Sequence, residues 1–327
     1  MFVPGMVTTI GSLPHAGLDD AVRFVLDGEP DLPAAPQLPA RSWREGMLAQ
    51  VAVAVPGVSV HPDGRLSLDP PGGGRGSLTA AAASPFDPAA HEGALAFLAV
   101  SRARARTGPV KLQLTGPVTL GLALVDAGAP ATAAFPAATL AVRSTAQALV
   151  AAAHSALPAA QVSLWLDEPW LVRPDAPSAG AVTAILAGAL AALGPTVTSG
   201  VHCCGRIDWS SVVDAGPTVL SMPVDLPGTE PSTAAIDAHL RRGGWIAWGA
   251  VPTDRPVTTD EQGALWGHLV ARWSALAAAG CDLALVRRRA LVTPACGLAG
   301  RTVAEAATAV DLTRRLGART AAAAARF

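Results

Sequence analysis

The sequence contains no tyrosine and a single lysine, Lys111. Its other basic side chains are arginines, and 24 basic residues stand against 25 acidic ones for a formal net charge of −1. No basic patch emerges. The longest basic run, Arg287-Arg288-Arg289, reads as a solvated surface turn, so nucleic-acid binding is not expected. No apolar run approaches the roughly 18 uninterrupted residues of a membrane span. Residues 179–193 are apolar, but Pro195 closes that stretch early. Residues 1–7 lack the basic and apolar segments of a signal peptide, so a cytoplasmic location is expected. The four cysteines are too few for a disulfide framework in a chain of this length. Adjacent Cys203 and Cys204 are poor partners for each other, because a vicinal bridge is strained. Metal binding or catalysis is the better use for such cysteines.

What is present is a large apolar fraction, half of the 327 residues, ample for an extensive core. Short β-branched runs alternate with helix-like stretches. Strands are predicted at residues 6–10, 110–114, 162–166, 197–201, 219–222, 245–248 and 290–293, with a weaker one at 57–61. Helices are predicted at 18–26, 43–53 behind a Ser42 cap, 87–106, 118–157 with a break near Gly128, 178–193, 231–242, 259–279 and 303–316. Residues 30–39 read as a proline-rich excursion and 69–76 as a glycine-rich loop. Regular βα alternation implies parallel strands, and eight units of this size suit a closed (β/α)8 barrel. An open doubly wound sheet is the rival, but no Gly-x-Gly-x-x-Gly follows the first strand. With no linker or repeat in evidence, residues 1–327 are expected to form one domain.

The polar residues suited to chemistry fall just past predicted strand ends: Ser12, Thr115, Asp167, Glu168, His202, Cys204, Asp225 and Cys296. In a barrel those ends share one mouth. Along an extended chain residues i and i+2 face the same way. His202 and Cys204 can therefore address one ion while Cys203 turns aside, with Cys296 as a third donor. Nitrogen and sulfur donors are those of zinc. Taken alone, a His-x-Cys pair is more often core packing, and Cys281 reads as structural. Asp167 and Glu168 bring two carboxylates to the mouth, where burial tunes acidity. Adjacent in sequence, they point apart and make a poor glycosidase pair, and a simple turn is the plainer alternative. Ser12 does not lie in a nucleophile elbow. His15 reads as a surface turn residue, and Trp165, Trp170 and Trp248 as core before ligand stacking.

Five stretches in order, each at a strand end, jointly resemble one family. They are Thr9-Ile10-Gly11-Ser12-Leu13-Pro14, Leu114-Thr115-Gly116-Pro117-Val118-Thr119-Leu120, Leu166-Asp167-Glu168-Pro169, Val201-His202-Cys203-Cys204 and Pro294-Ala295-Cys296-Gly297-Leu298. The chain resembles the C-terminal catalytic barrel of cobalamin-independent methionine synthase, within the uroporphyrinogen-decarboxylase-like barrel group. The resemblance implies the same barrel, a Zn2+ cofactor, and homocysteine held as a thiolate that attacks a methyl group. It carries zinc ligation onto His202, Cys204 and Cys296, and substrate binding onto the turn of Ile10, Gly11 and Ser12. Amino-group recognition falls to Asp167, the expected catalytic residue, with Thr115 and Glu168 expected beside the substrate.

The sequence departs from the family in four places. The family's glutamate ligand has no counterpart, and Pro223 and Asp225 are nearest its position. Either Asp225 is the fourth ligand, or the site is His-Cys-Cys, as in related corrinoid-dependent thiol methyltransferases. A family histidine is replaced near Thr253 and Asp254, and the acid expected upstream of the Arg44/Met47 segment is not evident. The N-terminal barrel of the long enzymes has no counterpart, so the methyl donor stays open among methyl-folate, a methyl-corrinoid and a corrinoid protein. The leading expectation is a zinc-dependent methyltransferase that converts homocysteine to methionine. The alternatives are a corrinoid-dependent enzyme for another thiol, a metal-free decarboxylase-like enzyme, and a non-catalytic barrel that binds zinc or a small ligand.

Overall fold

Six parallel strands, paired strictly in chain order, form the central sheet: β3 (Val110–Thr115), β4 (Val162–Asp167), β5 (Thr198–His202), β6 (Val219–Pro223), β7 (Trp245–Val251) and β8 (Ala290–Pro294). The computed structural model describes residues 2–28, 31–69, 78, 83, 86–224 and 233–326. Strands β3, β4, β6, β7 and β8 are buried along their whole length. Burial on both faces is why β7 and β8 read as nearly continuous apolar runs, whereas β3 alternates Val110, Leu112 and Leu114 with the buried polar residues Lys111, Gln113 and Thr115. Helices connect the strands, among them Pro117–Asp126, Ala131–Ala156, Ala179–Leu190 and Gln262–Ala278, and Val303–Ala324 follows the last strand. Among the described residues no helix is long and apolar enough to cross a membrane.

Two irregular staves close the sheet into a (β/α)8 barrel. Residues 5–8 run beside β8, with Gly5 N donating to Ala290 O at 2.8 Å and Val292 N to Met6 O at 3.0 Å. Residues 32–37 bridge from there to β3. Leu32 N donates to Val7 O at 3.2 Å, Lys111 N to Pro33 O at 3.0 Å, and Ala35 N to Lys111 O at 2.8 Å. The second stave is thus the proline-rich segment, not the 57–61 strand. That candidate pairs instead in a small antiparallel hairpin, β1 (Val58–Val60) with β2 (Leu66–Leu68), outside the barrel. Pro33, Pro36 and Pro39 lack the N–H a regular ladder needs, so only isolated bridges survive and the segment looks like a loop in sequence.

Other departures are local. The 43–53 helix is two short pieces, Trp43–Glu45 and Ala49–Ala52, split around Gly46. Ser42 does cap the first, accepting from Arg44 N. The last helix runs on to Ala324. The predicted 69–76 loop lies almost wholly outside the described residues.

Side-chain alternation divides the sheet between two cores. One face packs against the helices. The other fills the barrel with Met6, Leu32, Trp165, Val219, Trp245, Ala247 and Leu291. Gly200 is required here, since a methyl group at that position would overlap the Trp165 indole. Above this plug the register sets Thr115, Asp167, His202 and Ser221 side by side on four neighbouring strands. The inward face is thus apolar below and polar at the mouth.

Candidate metal centre

Strand β5 points His202 into the barrel, and the next residue must point away. Cys203 is fully buried against the outer core, where desolvation pushes its thiol up to about 12. Cys204 returns to the mouth, and Cys296, two residues past β8, meets it there. The candidate ligand atoms of His202, Cys204 and Cys296 all lie within 4.8 Å of one another. Among the described residues no other group of this kind is found.

Three features fit this cluster to a soft cation such as zinc. Its donors are one imidazole and two thiols. His202 Nε2 is buried and faces the Cys296 thiol, while Nδ1 lies 2.9 Å from Ser221 Oγ. A serine on Nδ1 fixes the ring and leaves Nε2 free to ligate. Finally, a hydrogen bond shared by the two thiols holds Cys204 below the ordinary thiol range and, with burial, pushes Cys296 above it. A divalent ion would stabilise both thiolates. Asp225 lies outside the described residues, and Pro223 has no donor to offer.

The cluster forms part of the wall of a cavity of about 390 Å3, shared with Ile10, Ser12, Gln37, Glu45, Met47, Asp167 and Trp170. A second cavity of about 460 Å3 reaches Cys204 and Cys296 from the side of Pro223, Thr253, Asp254 and Arg255. The cysteines thus lie between two spaces. Asp167 is buried with Oδ1 unpartnered, and desolvation pushes its carboxyl up to about 6 against the opposing charges of His202 and Lys111. A buried carboxylate without a full set of donors is suited to receive a cationic group.

The other expected substrate residues take different places. Gly11 does not line the first cavity but shapes the turn of Ile10 and Ser12. Its φ of +128° and the Gln113 amide packed against it leave no room for a side chain. Ser12 accepts at its carbonyl from Leu298 N at 2.8 Å, tying the turn to the loop after Cys296. Thr115 Oγ1 donates to Met47 O at 2.5 Å and so supports a cavity wall from behind. Glu168 faces away from the cavity. It accepts from Val118 N at 2.9 Å, Thr119 N at 2.7 Å and Thr119 Oγ1 at 2.6 Å, capping the Pro117–Asp126 helix. Burial pushes this carboxyl up to about 7 despite those donors.

Sequence reasoning missed Glu45 and Ser221. Glu45 is buried on the cavity wall, accepting from Leu38 N at 3.0 Å and Gly93 N at 3.1 Å. It lies inside the arginine–methionine segment rather than upstream of it. Ser221 was findable only by pairing β6 against β5. His15 is not a surface residue: it is 6% exposed and packs on Phe24 with ring centroids 4.8 Å apart.

No protein-family model matches the chain, and no curated protein matches it. Among solved structures, the fold is similar to that of a B12-independent methionine synthase from Shewanella sp. W3-18-1 in complex with selenomethionine. The TM-score is 0.58 over 97% of both chains, at 14% sequence identity. At that identity the likeness is one of fold.

Proposed function

We propose that this chain is a zinc-dependent methyltransferase whose acceptor is a thiol, with homocysteine as substrate and methionine as product. The observation that carries the reading is the His202, Cys204 and Cys296 cluster in the wall of the cavity that also holds Asp167. The likeness in fold to a methionine synthase agrees with it. Bound zinc would lower the pKa of a substrate thiol enough to supply a thiolate at neutral pH, where a free thiol near pKa 8.5 is mostly protonated.

The remaining work belongs to the chain's own residues. Asp167 pairs with the substrate ammonium, and the Ile10-Gly11-Ser12 turn receives the amino-acid end. Glu45 and Trp170 help to bound the space around it. The substrate sulfur forms its bond to the methyl carbon as the bond from that carbon to the donor breaks. The donor departs with the electron pair, and the thiol proton is released to solvent beforehand. His202, Cys204 and Cys296 would hold the zinc through three protein ligands, the number typical of a catalytic rather than a structural site, and would leave it open to the substrate sulfur. Asp225 would be a further candidate ligand.

The test is transfer of a labelled methyl group to homocysteine by the zinc-loaded protein, with methyl-folate and methylcobalamin offered side by side. Methionine from either donor supports the reading and identifies the donor class. No methionine from either, with zinc in place, would favour a barrel that binds zinc without turnover.

A further inference from the structure

Lys111, the chain's only lysine, is fully buried on the inner face of β3. Burying an ammonium is costly unless its charge and donors are satisfied. Its Nζ donates to Ile10 O at 2.8 Å and to Gln113 Oε1 at 3.1 Å, and lies 4.6 Å from the centre of the Trp165 ring. Gln113 then donates from Nε2 to the Ala35 carbonyl and packs directly against Gly11. Ile10 and Gly11 follow directly on the first stave of the barrel, and Ala35 belongs to the second. These are the two staves without a regular backbone ladder.

We propose that Lys111, acting through Ile10 and Gln113, is the positioning residue for the Ile10-Gly11-Ser12 turn. Backbone bonds hold the far side of the turn, from Gln37 N to Gly11 O at 3.0 Å and from Leu298 N to Ser12 O at 2.8 Å, and side-chain bonds from β3 add the anchor at Ile10. A charge-assisted bond to a carbonyl is stronger than a neutral one and fixes the plane of the Ile10–Gly11 peptide. The compact ammonium suits a fully packed site that a guanidinium would overfill. Lys111 does not itself line the cavity. Its effect on substrate binding rests on the function proposed above, whereas its effect on the turn does not.

Lys111→Met keeps the aliphatic stem and removes the donors. Hydrogen exchange of the peptide covering residues 9–14 is compared in the zinc-loaded variant and the parent, together with L-homocysteine affinity by calorimetry. The expected result is faster exchange at 9–14, unchanged exchange across β5, a full complement of zinc, and homocysteine binding weakened by about tenfold or more. Gln113→Met is the second variant and is expected to loosen the same peptide. It decides the matter if Lys111→Met does not fold. Exchange at 9–14 that matches the parent in a folded variant overturns the inference. If the parent binds no homocysteine, the functional proposal fails, and exchange at 9–14 alone decides the role of Lys111.

Discussion

His202 Nδ1 lies 2.9 Å from Ser221 Oγ, across the register that pairs β5 with β6. When Nε2 gives its lone pair to a metal, Nδ1 carries the proton and donates it to the serine. Such outer partners are typically worth about 10–100-fold in metal affinity. Ser221→Ala is therefore expected to bind zinc about tenfold more weakly while retaining the fold. Competition with a chromogenic chelator measures this, and an unchanged affinity would remove Ser221 from the centre.

Asp167 is the residue proposed above to receive the substrate ammonium. Asp167→Asn keeps the volume but removes the charge that meets a substrate ammonium. Zinc content should be unaffected, while homocysteine affinity falls by about 10–100-fold, the range for a hydrogen bond to a charged group. Equal affinity in parent and variant would argue that the amine binds elsewhere.

Glu168 serves the fold. Glu168→Ala strips a helix N-terminus of its buried acceptor and is expected to cost roughly 2–4 kcal/mol in chemical denaturation. The pH dependence has a definite sign. The folded carboxyl is pushed up to about 7, above its unfolded value, so the folded state binds more protons between the two. Glu168 therefore favours the folded state most below the ordinary carboxylate range, and this contribution shrinks as pH rises through about 7. His91, whose pKa burial lowers to about 4, acts in the opposite sense. The clean measurement is thus the stability of the metal-free parent relative to Glu168→Gln from pH 5 to 8. It should decline as pH rises, and a flat difference would contradict the account.

Gly11 occupies a conformation with φ of +128°, and the Gln113 amide fills the space that a Cβ would need. Gly11→Ala combines backbone strain with overpacking and is expected to cost about 2–4 kcal/mol. The loss should appear as a lowered melting temperature with zinc still bound. A melting temperature equal to the parent's would mean that the turn is not held as described.

The legible parts of this molecule were those where burial leaves a mark on residue type. Strands β7 and β8 stand out because both faces are covered and apolar residues run almost without interruption, and β3 stands out by the alternation of Val110, Leu112 and Leu114 with polar residues. The i, i+2 rule separates His202 and Cys204 from Cys203, and the buried, weakly acidic Cys203 agrees with that division. Cys296 joins them only once the barrel brings strand ends together. The second stave was illegible because Pro33 and Pro36 remove the donors, and with them the pattern by which strands are recognised. Glu45 and Ser221 carry no local signal: one is an acid in a short irregular helix, the other a serine in an apolar strand. Their roles arise from register and from contacts between distant segments.

X-ray absorption at the zinc edge, recorded with and without L-homocysteine, tests the central claim most directly. The account predicts about one zinc per chain, bound through one imidazole and two sulfurs, and a further sulfur in the first shell when homocysteine is added. A protein that holds no zinc, or a zinc shell that homocysteine leaves unchanged, would contradict it.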